Sequence, residues 1–488
     1  MTQTITDLNP KQLWNHFNKI CGIPRPSGHE QKMIAYIKGF AEGLGLKVMV
    51  DPSGNTIVEK PATKGMENRK KVIIQTHLDM VPQNNRSVKH DFLKDPIQPY
   101  IDGDWVKARG TTLGADNGIG VAATLAVLES KNMEHGPLCA LFTVEEETSL
   151  KGAFAITKDQ LDGEILLNLD NENENTFCIG CAGGVNTNIT VPYKKESIPV
   201  AYAAYKLSLT GLNGGHSGLE IHLGRANANK LLNRFLWHAS RDFRLRLASI
   251  DAGSLRNAIP REAFAVVAVP NEMASNFVAA VSKFEAVFKS EYAITEEGLK
   301  FEVIKTDMPE SLIDEKTQIN LIRAVYACVN GVYRMKADFP GVVETSSNLA
   351  VVKSNDKESE IEIITLQRSS VESAKIDIAD MVRIVFDMIG ANVIHCDDYP
   401  GWDPNSKSKI TAVMKSLYET MFKKSPEIVA DHAGLECGLI GSLYPDMDMI
   451  SFGPTIQHPH SPDEKVSIPS VAKFWAFFTE VLKNIPVK

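Results

Sequence analysis

Short apolar runs that stop at a histidine or a carboxylate constrain this chain more than any other feature. Lys71-Val-Ile-Ile-Gln-Thr76 reads as a buried strand, and His77-Leu78-Asp79 follows it at once. Leu138-Cys-Ala-Leu-Phe-Thr-Val144 leads into Glu145-Glu146-Glu147, and Glu164-Ile-Leu-Leu-Asn-Leu169 leads into Asp170. Between the first two runs, residues 118–129 form an apolar stretch predicted as a buried helix, with Asp116-Asn-Gly at its mouth. Further helices are predicted at 10–21 and 28–44. Strands alternating with helices indicate a layered α/β domain. In such sheets, ligands bind beyond the carboxyl ends of the strands, and four consecutive elements here deliver His, Asp, Glu and Asp to that edge.

At 488 residues the chain is too long for one core, so two or three domains are expected. A net charge of −8 and a pI near 5.9 argue against a nucleic-acid-binding or basic membrane-surface protein. No run approaches the ~18 apolar residues of a membrane span. The first nine residues lack the basic start and apolar core of a signal peptide. Seven scattered cysteines read as reduced thiols and a cytoplasmic location rather than a disulfide framework. Cys178-Ile-Gly-Cys181 has redox or zinc-site spacing, but no second such pair follows, and small residues in a packed turn are the preferred reading.

The texture changes near residue 185. Strands are predicted at 203–210, 262–269, 299–305 and 359–367, and helices at 224–239, 272–288, 316–330 and 373–389. The expected organisation is a discontinuous mixed-sheet α/β domain, 1–186 and 397–488, holding an inserted α+β domain at 187–396 that is large enough for two similar subunits. A helix is predicted at 407–423 in the returning segment.

Local spacings carry chemistry. Residues two apart in extended chain point the same way, so Asp79 can accept the second N–H of His77, fixing the tautomer of a metal-binding imidazole. Adjacent Glu146 and Glu147 diverge, so one can bind a metal while its neighbour contacts a water. Asp79, Asp116, Glu146, Glu147 and Asp170 would repel one another strongly without cations. Two divalent cations exceed the three negative charges of Asp116, Glu147 and Asp170 by one, which a hydroxide balances. Imidazole and carboxylate donors without thiolate suit two Zn²⁺, with Co²⁺ or Mn²⁺ as substitutes. A fifth ligand is expected from the run after Met449-Ile-Ser-Phe452, where His458 and His460 qualify equally on chemistry.

Taken in order, His77-Leu-Asp79, Gly114-Ala-Asp116-Asn-Gly, Glu145-Glu-Glu147, Asp170 and Pro459-His460-Ser-Pro-Asp-Glu464 resemble the M20 metallopeptidases. Gly211-Leu-Asn-Gly-Gly-His216-Ser-Gly, Leu255-Arg-Asn257-Ala-Ile-Pro260 and His432-Ala-Gly-Leu-Glu436-Cys-Gly extend the match towards the aminoacyl-histidine dipeptidase branch. The resemblance implies that His77 and Asp170 bind one zinc, Glu147 and His460 the other, and that Asp116 bridges both and precedes a cis peptide. It further implies Asp79 as the orienting acid and Glu146 as general base, one register step from Glu145. The insert becomes a lid in which His216 stabilises the oxyanion, and Asn257, Arg368 and Glu436 are the substrate-binding candidates.

The implied activity is hydrolysis of small peptides, Xaa-His and carnosine-like dipeptides included, by a monomer or a homodimer in the cytoplasm. An M20 tripeptidase, aminoacylase or carboxypeptidase is the alternative within the same chemistry, and an inactive metal-binding scaffold the alternative outside it. No Gly-x-Ser-x-Gly elbow points to a serine hydrolase.

Overall fold

Continuous apolar runs form strands buried on both faces, and the computed structural model, which describes residues 4–488, has such strands at its centre. Leu138–Thr143, Val72–His77, Ile165–Asn168 and Asp448–Ser451 lie side by side and parallel, and every residue of the first three is buried. Lys47–Val50 and Thr56–Lys60 extend one side antiparallel, and Thr176–Cys181 and Glu427–Asp431 the other, giving eight strands. Asp448–Ser451 is parallel to Ile165–Asn168 on one side and antiparallel to Thr176–Cys181 on the other. The helix Ala115–Glu129 is buried nearly all round and packs between this sheet and the helix Lys11–Cys21, whose inner face is Leu13, Trp14, Phe17 and Ile20.

An aromatic cluster fixes the returning C-terminal segment. Phe177 stacks on Phe477 at 5.5 Å and meets Tyr418 edge-on at 5.5 Å, while Phe452 packs against Phe177, Phe474 and Phe477. Aromatic pairs of this kind contribute about 0.5–1.5 kcal/mol each beyond area burial. They clamp the helices Lys409–Phe422 and Ile468–Lys483 to the sheet.

The chain divides into two compact units. One comprises residues 4–180, Pro404–Ala430 and Leu435–Lys488; the other comprises Cys181–Asp403 and Asp431–Gly434. The second unit is built on one nine-stranded antiparallel sheet. Its order is Lys300–Thr306, Tyr202–Thr210, Ala263–Pro270, Arg246–Ala252, Val343–Asn355, Glu360–Ser369, Gly183–Pro192 and Asn392–Tyr399, with Gly331–Met335 also on Val343–Asn355. Helices Ala228–Asp242, Ala274–Glu291, Glu315–Ala327 and Glu372–Asp387 cover the face that carries Leu207, Val267, Ile361, Ile363 and Ile189. Strand alternation therefore turns Arg368 and Gly184 to the opposite face.

Two local expectations differ from the structure. Cys178-Ile-Gly-Cys181 lies in a buried strand, not a turn. The strand Val343–Asn355 continues from Val343 with Glu-Thr-Ser-Ser-Asn and escapes an apolar-period reading, because its inward side chains bond laterally. Thr345 Oγ1 pairs with Ser369 Oγ at 2.9 Å, and Gln367 bridges Ser347 Oγ (3.2 Å) and Thr187 Oγ1 (2.6 Å). Among the described residues no helix is long and apolar enough to cross a membrane.

Candidate metal centre

The parallel strands end in register. His77 stands opposite Thr143, Gln75 opposite Asn168, and Asn168 opposite Ser451, so the segments that follow all leave the sheet at one edge. A polar belt ties this edge together. Asn168 Nδ2 donates to Gln75 Oε1 and Ser451 Oγ to Asn168 Oδ1, while Gln75 Nε2 (2.5 Å) and Thr143 Oγ1 (2.7 Å) donate to Glu436 Oε2.

Asp116 is the hub. Its Oδ1 is 3.0 Å from His77 Nε2, and the same nitrogen is 3.4 Å from Asp170 Oδ1. Its Oδ2 is 3.1 Å from His460 Nε2, which is 2.9 Å from Glu147 Oε2. One carboxylate thus turns a separate oxygen to each of two imidazoles. Three overlapping sets bring their ligand atoms within 4.8 Å of one another: His77, Asp116 and Asp170; His77, Glu146 and Glu147; Asp116, Glu147 and His460. The bond from Asp116 to Asn117 is cis, and Asn117 Nδ2 donates to Leu169 O (2.8 Å) and to Asp170 Oδ1.

The electrostatics are those of a site built for cations. Burial raises the carboxyls of Glu146, Glu147 and Asp170, and in Glu146 lifts it well above the usual carboxylate range. For Asp116 burial acts in the same direction, but the bonds to His460 and His77 outweigh it and hold the carboxyl far below that range. Asp116 and Glu147 push His460 up to about 11. Imidazoles that must hold protons to lie among carboxylates mark positions a metal ion would take instead, with nitrogen and oxygen donors and no thiolate. The residues therefore fit a pair of divalent cations.

Asp79 supports this cluster from below. Its oxygens accept from Ser27 Oγ (2.8 Å), Glu146 N (3.1 Å) and Glu147 N (3.2 Å), and Oδ1 lies 3.3 Å from His77 Nδ1. Burial opposes its charge, yet His77 and these donors hold its pKa at about 2. Glu145 sits outside the cluster. It has a left-handed backbone (φ 52°) and pairs with Lys151, while its N–H donates to Glu30 Oε1. His458 is exposed and belongs to none of the three ligand sets.

Several residues essential to this geometry have tasks that their motifs, where they have one, do not reveal. Glu464 accepts the N–H groups of Leu113 (2.7 Å), Gly114 (2.9 Å), Ala115 (2.8 Å) and Asp116 (3.3 Å), fixing the turn that presents Asp116. Arg25 is buried and donates to Leu78 O (2.9 Å), Asp79 O (2.7 Å) and Gly114 O. Gly114 has φ 68°, and a Cβ there would fall 2.6 Å from Arg25 Nη2, so only glycine fits. The available hint was a lone arginine between prolines in Pro24-Arg25-Pro26. Glu436 is buried in the polar belt, and burial pushes its carboxyl to about 8.

The remaining candidates lie in the second unit. His216 Nδ1 accepts from Gly218 N (3.2 Å) and Leu219 N (3.0 Å), which leaves the proton on Nε2. Burial and the nearby Arg368 charge lower His216 to about 4, so the ring is neutral at pH 7. Asn257 supports the same loop through its carbonyl, which accepts Ser217 N at 2.8 Å. Arg368 is 4% exposed, donates from Nη1 to Tyr399 Oη (2.8 Å), and has a buried Nε without a hydrogen-bond partner. His432, also buried, bonds through Nε2 with Ser346 Oγ at 2.7 Å.

The sequence model of Peptidase family M20/M25/M40 matches residues 73–484. The chain is 46% identical over 484 residues to the Cytosol non-specific dipeptidase of Escherichia coli (strain K12), covering 99% of each. Among solved structures it is similar to the Aminoacylhistidine Dipeptidase from Vibrio alginolyticus, with a TM-score of 0.94 and 45% identity over 100% of this chain and 99% of that one. Aminopeptidase PepT from Bacillus cereus ATCC 10987 has the same fold at a TM-score of 0.58 and 14% identity, with 98% and 99% covered.

Proposed function

The chain belongs to peptidase family M20/M25/M40, and from that premise we propose that it is a cytoplasmic two-metal dipeptidase that takes Xaa-His among a broad range of dipeptides. The observation that carries the metal pair is Asp116, whose two oxygens each face a different imidazole. The dipeptide and cytoplasmic readings rest on the two relatives similar over nearly their whole length, one a cytosol dipeptidase and the other an aminoacylhistidine dipeptidase.

His77 and Asp170 would hold one zinc, Glu147 and His460 the other, and Asp116 both. Bound there, the cations would supply Lewis-acid polarisation of the scissile carbonyl and acidify water. Glu146, left free of a ligand role, takes the proton of the attacking water and returns it to the leaving amine. Burial gives it the raised proton affinity such a shuttle needs. Asp79 holds the His77 ring and the backbone N–H groups of Glu146 and Glu147 together. Within the second unit, neutral His216 has an Nε2–H suited to an oxyanion, and Arg368 has a guanidinium suited to a substrate carboxylate.

The test couples metal analysis to a substrate panel. Dipeptides with and without C-terminal histidine should be hydrolysed, and tripeptides and N-acyl amino acids should not. Chelation should abolish the activity and zinc restore it. Glu146→Gln should retain both metals while kcat falls by about 10³-fold or more. Turnover near wild type in that variant refutes the base assignment, and preferential cleavage of N-acyl amino acids refutes the dipeptidase reading.

A further inference from the structure

The face of the second unit's sheet opposite its helices contains one transverse row of residues with an unusual composition. Ser346 pairs with Arg368, Arg368 with Gly184, and Gly184 with Tyr399, on four successive antiparallel strands. Facing residues in antiparallel pairs share a face of the sheet, so these four share the face opposite the helices. Arg368 and Tyr399 are two strands apart and would not ordinarily touch. They do so because the intervening position is glycine: Arg368 Nη1 donates to Tyr399 Oη at 2.8 Å across Gly184. A Cβ on Gly184 would lie 2.6 Å from Tyr399 Oη and 2.7 Å from Cζ, and one on Gly434 would lie 2.9 Å from Cε2. The phenol therefore occupies a slot between two bare glycines.

The tyrosine is fixed from its backbone as well. A register shift precedes it in the strand, with Asp397 in the left-handed region (φ 51°), which brings Tyr399 opposite Gly184. Its carbonyl accepts from Lys375 Nζ at 2.8 Å. That lysine is 1% exposed and is also paired with Asp398 (2.6 Å) and Glu372 (2.9 Å). Arg368 itself has no ion pair among the described residues. A buried guanidinium without a carboxylate is an uncompensated charge, and the unpartnered Nε beside it is a donor waiting for an acceptor. The cation also depresses both neighbouring histidines, His216 to about 4 and His432 to about 3, each by an effect second to burial. Nothing in the row neutralises Arg368; the tyrosine only aims it.

Resting on the proposed role of Arg368 at the substrate carboxylate, we infer that Tyr399 is a positioning residue for that guanidinium, acting through the gap at Gly184. A neutral hydroxyl suits this task because it holds one N–H without consuming the charge, leaving the rest of the fork for a bidentate anion. A carboxylate at position 399 would fix the arginine equally well but would compete with the substrate.

The test is a double-mutant cycle in the zinc-loaded full chain, read as KM and kcat separately on one dipeptide. Tyr399→Phe should raise KM about tenfold, the loss expected for one hydrogen bond to a charged group, with kcat within about twofold. Arg368→Ala should raise KM further, and the double variant should be no worse than Arg368→Ala alone. Gly184→Ala, which keeps the phenol but denies it the slot, should reproduce the KM-selective defect and serves if the phenylalanine variant folds poorly. An unchanged KM in Tyr399→Phe, or effects that multiply in the double variant, overturns the positioning role while leaving Arg368 in place. An unchanged KM in Arg368→Ala instead overturns the reading of Arg368, and the inference falls with it. A drop in kcat and melting temperature together, without a KM change, marks Tyr399 as structural only.

Discussion

Asp79→Asn should weaken the metal centre and the fold together, by an amount two separate estimates agree on. The carboxylate accepts from Ser27 Oγ, Glu146 N and Glu147 N and lies beside His77 Nδ1. Asparagine retains one acceptor oxygen, and its amide nitrogen faces donors whichever way it turns. Leaving a buried donor unmet costs about 1–3 kcal/mol. The titration of Asp79 gives a similar figure. Its pKa falls from 3.8 to about 2 in the folded protein, so ionisation contributes about 2 kcal/mol to stability at neutral pH. For a depressed carboxyl that contribution is complete above pH 3.8 and disappears as pH falls through about 2, so the gap between wild type and variant should narrow below pH 4. Urea denaturation of the metal-free proteins at pH 7 should therefore show the variant about 2–3 kcal/mol less stable. Competition with a chromophoric chelator should show roughly 10–100-fold weaker zinc binding, because His77 and the Glu146–Glu147 backbone lose their shared anchor. A variant equal to wild type in both measurements would mean that Asp79 orients nothing.

Three further outcomes are expected. Glu464→Ala leaves the amides of residues 113–116 without their acceptor, and zinc retained after dialysis, measured by atomic emission, should fall below two per chain. His432 is buried and its imidazole is pushed to about 3, so below pH ~6.5 the unfolded chain binds a proton that the folded one does not. Stability should drop by up to about 1.4 kcal/mol per pH unit as pH falls from 6.5, and His432→Gln should flatten the slope of urea midpoints between pH 7 and 5. Gly218→Ala places a Cβ 2.0 Å from His432 O, so the loop carrying His216 must move; kcat should fall at least tenfold with the zinc content unchanged.

Much of the first unit was legible because buried parallel strands must be apolar along their whole length. His77, Glu147 and Asp170 announce themselves by interrupting that monotony at the strand ends, and Asp116 does so at the start of the buried helix. The choices among Glu145, Glu146 and Glu147, and between His458 and His460, could not be read from spacing, since they depend on a left-handed residue at Glu145 and on how the 453–464 loop turns. Arg25 and Glu30 were invisible, and the task of Glu464 unreadable from its motif, for a different reason. They bind backbone atoms, and backbone partners leave no pattern in a sequence. In the second unit the strands Gly183–Pro192, Arg246–Ala252, Val343–Asn355 and Asn392–Tyr399 went unread. A polar inner ladder such as Thr345–Ser369 and Thr187–Gln367 removes the alternation on which such readings depend.

The strand Asp448–Ser451, lodged between Ile165–Asn168 and Thr176–Cys181, sets a timetable for biosynthesis. Its two neighbours leave the ribosome early, yet the strand that joins them follows roughly 280 residues after Asn168, or about 15–60 s at ordinary elongation rates. Until the strand arrives, the apolar edge of Ile165–Asn168 has no partner on that side. Unpaired edges of this kind recruit other chains. Any C-terminal truncation that removes this strand has already removed Glu464 and His460, so a shortened product should lose zinc binding first and solubility next, as the edge of Ile165–Asn168 loses its cover.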